Sequence, residues 1–241
     1  MKKIICLALV LIMTLSFVAC EKEDIYKKSE GVMTWEEYNA AAIDDEVVIE
    51  AYIQAKQAWW DNKGTFYLQD GVGGYFAYEL RCTEEEYNQL AIGTKVRLSG
   101  YKASYKGEYE IIDATFEILE GNYVAPATDV TSKLGTAAIL NYQNMKVAFK
   151  GLTVVEVKFQ EGEGKDIYIT FSYDGKEYEF CIESYLTNKD TDVYKTASNL
   201  KAGDVVDVEG FAYWYDGAYS PEANVVNPDK INTHITGITV K

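Results

Sequence analysis

The sequence predicts a mainly β chain of two tandem five-stranded Greek-key barrels, each with a short helix between its third and fourth strands. Three observations carry this expectation. First, one pattern occurs twice. Leu90-x-x-Gly93-x-x-Val96-x-Leu98-x-Gly100, then Tyr105-x-Gly107, returns as Leu200-x-x-Gly203-x-x-Val206-x-Val208-x-Gly210, then Tyr215-x-Gly217. Every match sits at an offset of 110 residues, which marks an internal duplication. Second, Val47, Ile49, Ala51 and Ile53 alternate with more polar residues, the period of a half-buried strand. Third, strand-like and helix-like pieces follow one another as strand, strand, strand, helix, strand, strand in the first copy.

The elements justify themselves in order. Thr34 and Glu37 form a capping box that opens a short helix. The alternating strand from Val47 follows, and Asp61-Asn62-Lys63-Gly64 is a turn. Phe66 and Leu68 then alternate with Tyr67 and Gln69. Gly71 to Gly74 poses the first functional question, because a glycine-rich stretch can cradle phosphate. That use needs a helix after the glycines, since the anion rests on the helix N-terminus. Here the β-prone Tyr75-Phe76-Ala77-Tyr78 follows, so the glycines serve a hairpin or bulge. Thr83 and Glu86 make a second capping box, and Gly93 stops that helix. Two long strands, Lys95 to Tyr105 and Glu108 to Leu119, turn at Lys106-Gly107. In the second copy "VTSKLGTAAIL", Val130 to Leu140, takes the place of the opening helix, and "VAFKGLTVV" and "IYITF" match the first two strands. Gly and Pro in "GNYVAPAT" mark the join. The division is residues 1–20 as signal, 21–31 as tether, 32–122 as the first domain and 123–241 as the second.

That strand order is the order of the OB-fold. Gly64-x-Phe66-Tyr-Leu-Gln-Asp70-Gly71 with Gly73-Gly74-Tyr-Phe-Ala-Tyr78 resembles the OB-fold domains of bacterial extracellular proteins, which accompany secreted nucleases or occur in surface lipoproteins. The likeness is close over Glu46 to Leu119 and looser over Met145 to Val240. Ala51 departs from the Gly that the family carries at the end of the first strand, while Gly151 keeps it. The Pro-containing stretch Ser220 to Asn232 is a second departure.

At the N-terminus, Lys2 and Lys3 precede an apolar run from Ile4 to Leu15 that is shorter than the roughly 20 residues a membrane span takes. Phe17-Val18-Ala19-Cys20 resembles a bacterial lipobox, which implies lipidation of Cys20 and an extracytoplasmic chain held to a membrane by that anchor. Two readings stand for Glu21-Lys22-Glu23-Asp24: a surface-export signal, or a plain charged tether. Without Lys2 and Lys3 the formal charge goes from −15 to −17. Such a chain repels nucleic acid at long range. Cys82 and Cys181, each near the end of a strand in a different half, are expected as buried thiols.

No catalytic motif is present, and no cofactor or metal is called for. The single histidine, His234, stands on an expected final strand, where a packed or solvent-facing role is the ordinary one. A binding role follows. OB barrels bind on the outside of strands two and three and in the loops joining strands one–two and four–five. These places hold Tyr67, Phe76 and Tyr78 on the face, Trp59 and Trp60 at the first loop, and Lys102, Tyr105 and Lys106 at the second. In the second copy "FAYWY" adds Tyr213, Trp214 and Tyr215. Rings on an outer face stack on sugars or bases, or else they pack against the second domain. The favoured expectation is a non-catalytic, surface-anchored lipoprotein binding a polysaccharide or protein partner. The alternative is a single-stranded nucleic-acid module in the first domain. Lys95 to Lys106 interleaves basic and aromatic residues as such a groove would, but 7 Lys/Arg against 17 Asp/Glu over residues 32–122, a net of −10, disfavours nucleic acid as a partner.

Overall fold

The structure, a computed structural model, describes residues 24–215 and 226–241. Cys20 and the expected signal at 1–20 lie outside the described residues, as do residues 220–225 of the Pro-containing stretch. No helix among the described residues is long and apolar enough to cross a membrane.

The first half opens on α1 (Trp35–Ala40), where Thr34 and Glu37 bond reciprocally as a capping box. Five strands follow: β1 (Glu46–Lys56), β2 (Lys63–Gln69), β3 (Gly74–Arg81), β4 (Thr94–Tyr105) and β5 (Glu108–Asn122). They close a barrel in the order β1-β2-β3-β5-β4. Only β3 and β5 run parallel, and they meet through a single residue pair, Ala77 and Ile111. This is the five-stranded Greek-key barrel of the OB-fold. The period-two pattern fills it: Val47, Ile49, Ala51 and Ile53 point inward with Phe66, Leu68, Tyr75 and Ala77. A second capping box, Thr83 with Glu86, begins α2 (Glu84–Gln89) between β3 and β4.

The glycine-rich stretch is a hairpin turn. Asp70 holds it: its Oδ1 accepts the N–H groups of Val72 at 2.7 Å and Gly73 at 2.8 Å, and Gln69 pairs with Gly74 across the ladder. The Asp70 carboxylate thus occupies the amides that a phosphate would need.

The second half begins with β6 (Thr128–Asp129) and two short 3-10 turns at Thr131–Lys133 and Ala137–Tyr142. The remaining elements are β7 (Lys146–Phe159), β8 (Ile167–Tyr173), β9 (Lys176–Ile182), α3 (Asp192–Asn199), β10 (Val205–Phe211) and β11 (His234–Val240). The sheet runs β10-β11-β9-β8-β7-β6, and β10 also pairs with β7. β9 and β11 run parallel through one pair, Cys181 and His234. Phe149, Phe171, Phe180 and Trp214 fill the core of this sheet.

Two glycines recur at equivalent places in the two halves. Gly93 and Gly203 enter β4 and β10 with φ of 92° and 93°, which L side chains rarely adopt. At Gly100 a Cβ would lie 2.7 Å from the Ile112 carbonyl oxygen, and at Gly210 it would run into the His234 carbonyl. Both glycines let a neighbouring backbone cross close by.

The halves meet on the outer face of β2 and β3. Tyr67 stacks on Phe211 at 4.3 Å and 15° and packs on Phe76, with Ala55, Leu186 and Tyr213 around them. Polar contacts surround this apolar centre. The Lys146 N–H donates to Gln69 Oε1 at 2.8 Å, the Asn144 side-chain amide donates to the Tyr109 carbonyl at 3.0 Å, and the Trp214 N–H donates to Glu108 Oε2 at 2.9 Å.

Candidate functional site

This junction corrects part of the expected binding surface. Tyr67, Phe76 and Trp214 are buried, and Tyr213 is half-buried with its ring stacked 4.1 Å from His234. The second half covers the face that was expected to bind a ligand. Lys102 is corrected as well. It lies within β4 rather than in a loop, is buried, and donates to the carbonyls of Tyr38, Asn39 and Ala41 at the end of α1 at 2.9–3.0 Å. Trp59 is half-buried, with its indole N–H donating to the Cys82 carbonyl at 3.0 Å. Cys82 and Cys181 are free, buried thiols. Trp60, Tyr78, Tyr105 and Tyr215 remain exposed, and Lys106 is half-buried.

The exposed rings have local causes. Asp61 and Asn62 adopt φ of 48° and 57°, a left-handed turn that these residue types tolerate. The turn sends Trp60 out, 55% exposed, with Lys63 Nζ 5.5 Å from its ring centre. Across the hairpin the register slips between Gly64 and Phe66, and Glu79 takes φ of 49°. Such a bulge re-aims side chains. Tyr78 projects outward, and Glu79 meets Lys63 at 2.6 Å. From the second half, Tyr185 arrives where its carbonyl accepts the Ala58 N–H at 2.9 Å. The Gln57 side-chain amide donates to Glu183 Oε2 at 3.1 Å.

Gln57, Trp60, Thr65, Tyr78, Glu79 and Tyr185 thereby line a cleft of about 430 Å³ between the halves. Trp60, Tyr78 and Tyr185 are the exposed aromatic residues of its lining. The sequence offered no sign of Tyr185, an isolated aromatic in an irregular loop. Beside the cleft, burial pushes the Glu183 carboxyl up to about 7. Burial, and then the charge of Glu79, push Glu110 up to about 7. A second ring cluster lies at the turn after β4. There Lys106 Nζ donates to Tyr215 Oη at 2.7 Å and sits 4.5 Å from that ring and 5.4 Å from the Tyr105 ring.

His234 is not poised for acid–base work. Burial drives its imidazole down to about 3, and its Nδ1 is taken by Tyr67. Among the described residues no group of three or more His, Cys, Asp or Glu is placed to hold a metal ion. The cleft offers three aromatic side chains to a ligand, while the carboxylates at its edge are engaged, Glu79 by Lys63 and Glu183 by Gln57 and the Tyr185 and Leu186 N–H groups.

No protein-family model and no curated protein matches the chain. Among solved structures, it is similar to a murine DNA binding protein bound with ds DNA, at 8% identity and a TM-score of 0.37, over 80% of this chain and 94% of that one. It is similar to p202 HIN1 in complex with 12-mer dsDNA, at 10% identity and a TM-score of 0.36, over 84% and 96%. It is also similar to a replication protein A heterotrimer bound to ssDNA, at 13% identity and a TM-score of 0.34, over 75% of this chain and 47% of that one. The expectation of a polysaccharide or protein partner with nucleic acid disfavoured is withdrawn: the stacking face on which it relied is buried at Tyr67 and Phe76.

Proposed function

We propose that this chain is a non-catalytic binding protein that takes single-stranded nucleic acid by stacking bases on Trp60, Tyr78 and Tyr185 in the cleft between its halves. The observation that carries this reading is the convergence of three exposed rings at the β1–β2 loop and the outer edge of β3. OB barrels take oligonucleotides at these positions, and ring stacking accepts any base. Charge decides the character of the grip. The chain carries −15, and Lys63, beside Trp60, is bonded to Glu79. Rings, rather than phosphate contacts, hold the ligand.

We further propose that both halves, residues 32–122 and 123–241, are tandem OB barrels. The matched pairs Gly93 and Gly203, and Gly100 and Gly210, support this, as does the pairing of β10 with both β7 and β11. On the sequence of its first residues, the chain is proposed to be extracytoplasmic and anchored through lipid on Cys20. Cys20→Ser is expected to shift it from the membrane to soluble fractions or leave an uncleaved precursor; an unchanged membrane fraction would refute the anchor.

The test of the binding reading is quenching of tryptophan fluorescence by short single-stranded oligonucleotides at low salt. Quenching is expected, with affinity about tenfold or more lower in Trp60→Ala and again in Tyr78→Ala, as a base–ring stack of about 1–3 kcal/mol implies. The slope of log affinity against log salt is expected to be no steeper than about −1, since each single-strand phosphate contact contributes about −0.7. Absence of quenching by every oligonucleotide, or quenching indifferent to both variants, would overturn the proposal.

A further inference from the structure

On β8 and β9 the period of two sends Ile167, Ile169, Phe180 and Ile182 into the core of the second half and leaves Tyr168 and Cys181 on the opposite face. One row crosses the sheet there, for Tyr168 pairs with Cys181, and Cys181 pairs with His234. A cavity of about 240 Å³ is lined by all three residues of this row. Asp166, just before β8, and Glu183, just after β9, line it with Tyr213 and Asn232. Gln57 of the first half lines it too and donates to Glu183 at 3.1 Å.

The polar groups of this cavity are held in place but not used up. The Ser184 N–H donates to Asp166 Oδ1 at 2.9 Å, while Oδ2 has only the Tyr168 hydroxyl at 3.5 Å, beyond the range of a good hydrogen bond. Asn232 is 9% exposed, and its backbone N–H donates to the Tyr213 carbonyl. Among the described residues no hydrogen bond takes its carboxamide, and it is not among the side chains whose unbonded polar atoms are sealed from solvent. A buried amide in that state draws its partner from the cavity.

Charge indicates which ligand. No lysine or arginine lines the cavity, and Lys106 reaches its edge only as a donor to the Tyr215 hydroxyl. Two carboxyl groups thus line it without a cation, and a ligand that brings positive charge and N–H donors completes such a lining. Asp166, Cys181, Glu183 and His234 are metal-ligand types, but among the described residues no three such groups are placed to hold a metal ion. An ammonium group is a compact point charge. A guanidinium is planar, carries its donors in a fork that matches a carboxylate, and rests well against aromatic rings, here supplied by Tyr168 and Tyr213. The cavity is smaller than the roughly 300–1,000 Å³ of sites for drug-sized ligands, which suits a small molecule taken whole.

We propose that this cavity binds the guanidinium group of a small, free alkylguanidine. Asp166 and the Asn232 carboxamide oxygen accept its N–H groups, and Glu183 adds negative charge. The cavity adjoins the cleft at Gln57 but uses none of the three cleft rings, so the assignment does not rest on the nucleic-acid reading.

Amide chemical-shift titration of the full chain with ethylguanidine tests the site. Low salt and mildly alkaline pH are chosen so that Glu183, pushed up to about 7 by burial, is ionised. Saturable shifts are expected at Asp166, Tyr168 and Asn232, with ethylamine, of equal charge, binding about tenfold more weakly. Asp166→Asn keeps an acceptor for the Ser184 N–H but removes the charge, and is expected to weaken binding about tenfold. Asn232→Leu removes the carboxamide and is expected to weaken it several-fold, so the test survives if one variant fails to fold. N-acetyl-arginine methylamide probes a protein source of the same group. Its binding about tenfold more tightly than ethylguanidine would move the site from a free compound to a protein and so overturn the proposal as stated. Absence of saturable shifts, ethylamine binding as tightly as ethylguanidine, or an affinity unchanged in both variants would also overturn it.

Discussion

Tyr67 on the first barrel and His234 on the second sheet share one hydrogen bond, 2.8 Å from Oη to Nδ1, across 167 residues of sequence. Burial pushes the Tyr67 hydroxyl well above its ordinary range and drives His234 down to about 3, so both are neutral. Two neutral partners share this bond, the hydroxyl donating to a bare Nδ1 or accepting from an Nδ1–H as the tautomer sets it.

Removing the hydroxyl leaves a buried ring nitrogen unpaired in either case. Tyr67→Phe keeps the stack on Phe211 but is expected to destabilise the chain by about 1–3 kcal/mol. Urea unfolding measures it. A loss within error of zero would mean that the bond adds nothing at this junction.

Stability is expected to peak at mildly acidic pH. Glu110 and Glu183 titrate near 7 in the folded chain against an ordinary 4.5, so the folded state holds their protons between those values. Stability then rises as pH falls from about 7 to about 4.5. Glu108, raised well above its usual range by burial, acts in the same direction. His234 opposes them, since the unfolded chain holds its proton between 6.5 and about 3. At least two protons outweigh one, at about 1.4 kcal/mol per pH unit for each. Below about 4.5 only His234 remains of this set, and Asp207, held low by the Lys241 hydrogen bond, adds to the loss as pH falls through its folded value. Melting temperatures across about pH 3 to 8 should pass through a maximum near pH 5; a maximum at or above neutrality would refute the assignment.

Gly74 lies against the backbone of the second half at Asn144 and Met145. A Cβ there would lie 2.5 Å from the Met145 nitrogen and 2.6 Å from the Asn144 carbonyl oxygen, both backbone atoms that cannot turn aside. Gly74→Ala is expected to cost about 1–3 kcal/mol, the scale of overpacking, and to separate unfolding of the two halves into two transitions. A single unshifted transition would show that the junction yields freely.

Lys102 ties β4 to the end of α1. Lys102→Met keeps the length of the side chain but leaves the Tyr38, Asn39 and Ala41 carbonyls without their common donor. A loss of about 1–3 kcal/mol is expected, with faster amide exchange in α1 than in α2. Equal exchange in both helices would contradict the tether.

Much of the architecture was legible because barrel cores write a period of two. Val47, Ile49, Ala51 and Ile53 announce their strand, and all four are buried. The same period placed Tyr67, Phe76 and Tyr78 on one outer face, yet only Tyr78 meets solvent. Alternation says which side a residue takes; what lies against that side depends on contacts far along the chain, here Phe211 and Tyr213. Lys102 reads as a surface cation by type, and three carbonyls of α1 make it a buried one. Tyr185 and Glu183 sit in an irregular loop, where no period distinguishes them, and Glu110 alternates like any solvent-facing strand residue. The cleft could be found only once the halves were in place.

The single pair that joins β3 to β5, Ala77 with Ile111, makes that seam the least fastened line of the first barrel. β4 and β5, by contrast, are laced along eleven pairs. A tensile load carried along the chain would therefore part β3 from β5 first, while the long β4–β5 ribbon stayed whole. Phe76, on the β3 lip of that seam, packs against Tyr213 of the second half, so the junction between the halves braces the line that the ladder leaves open.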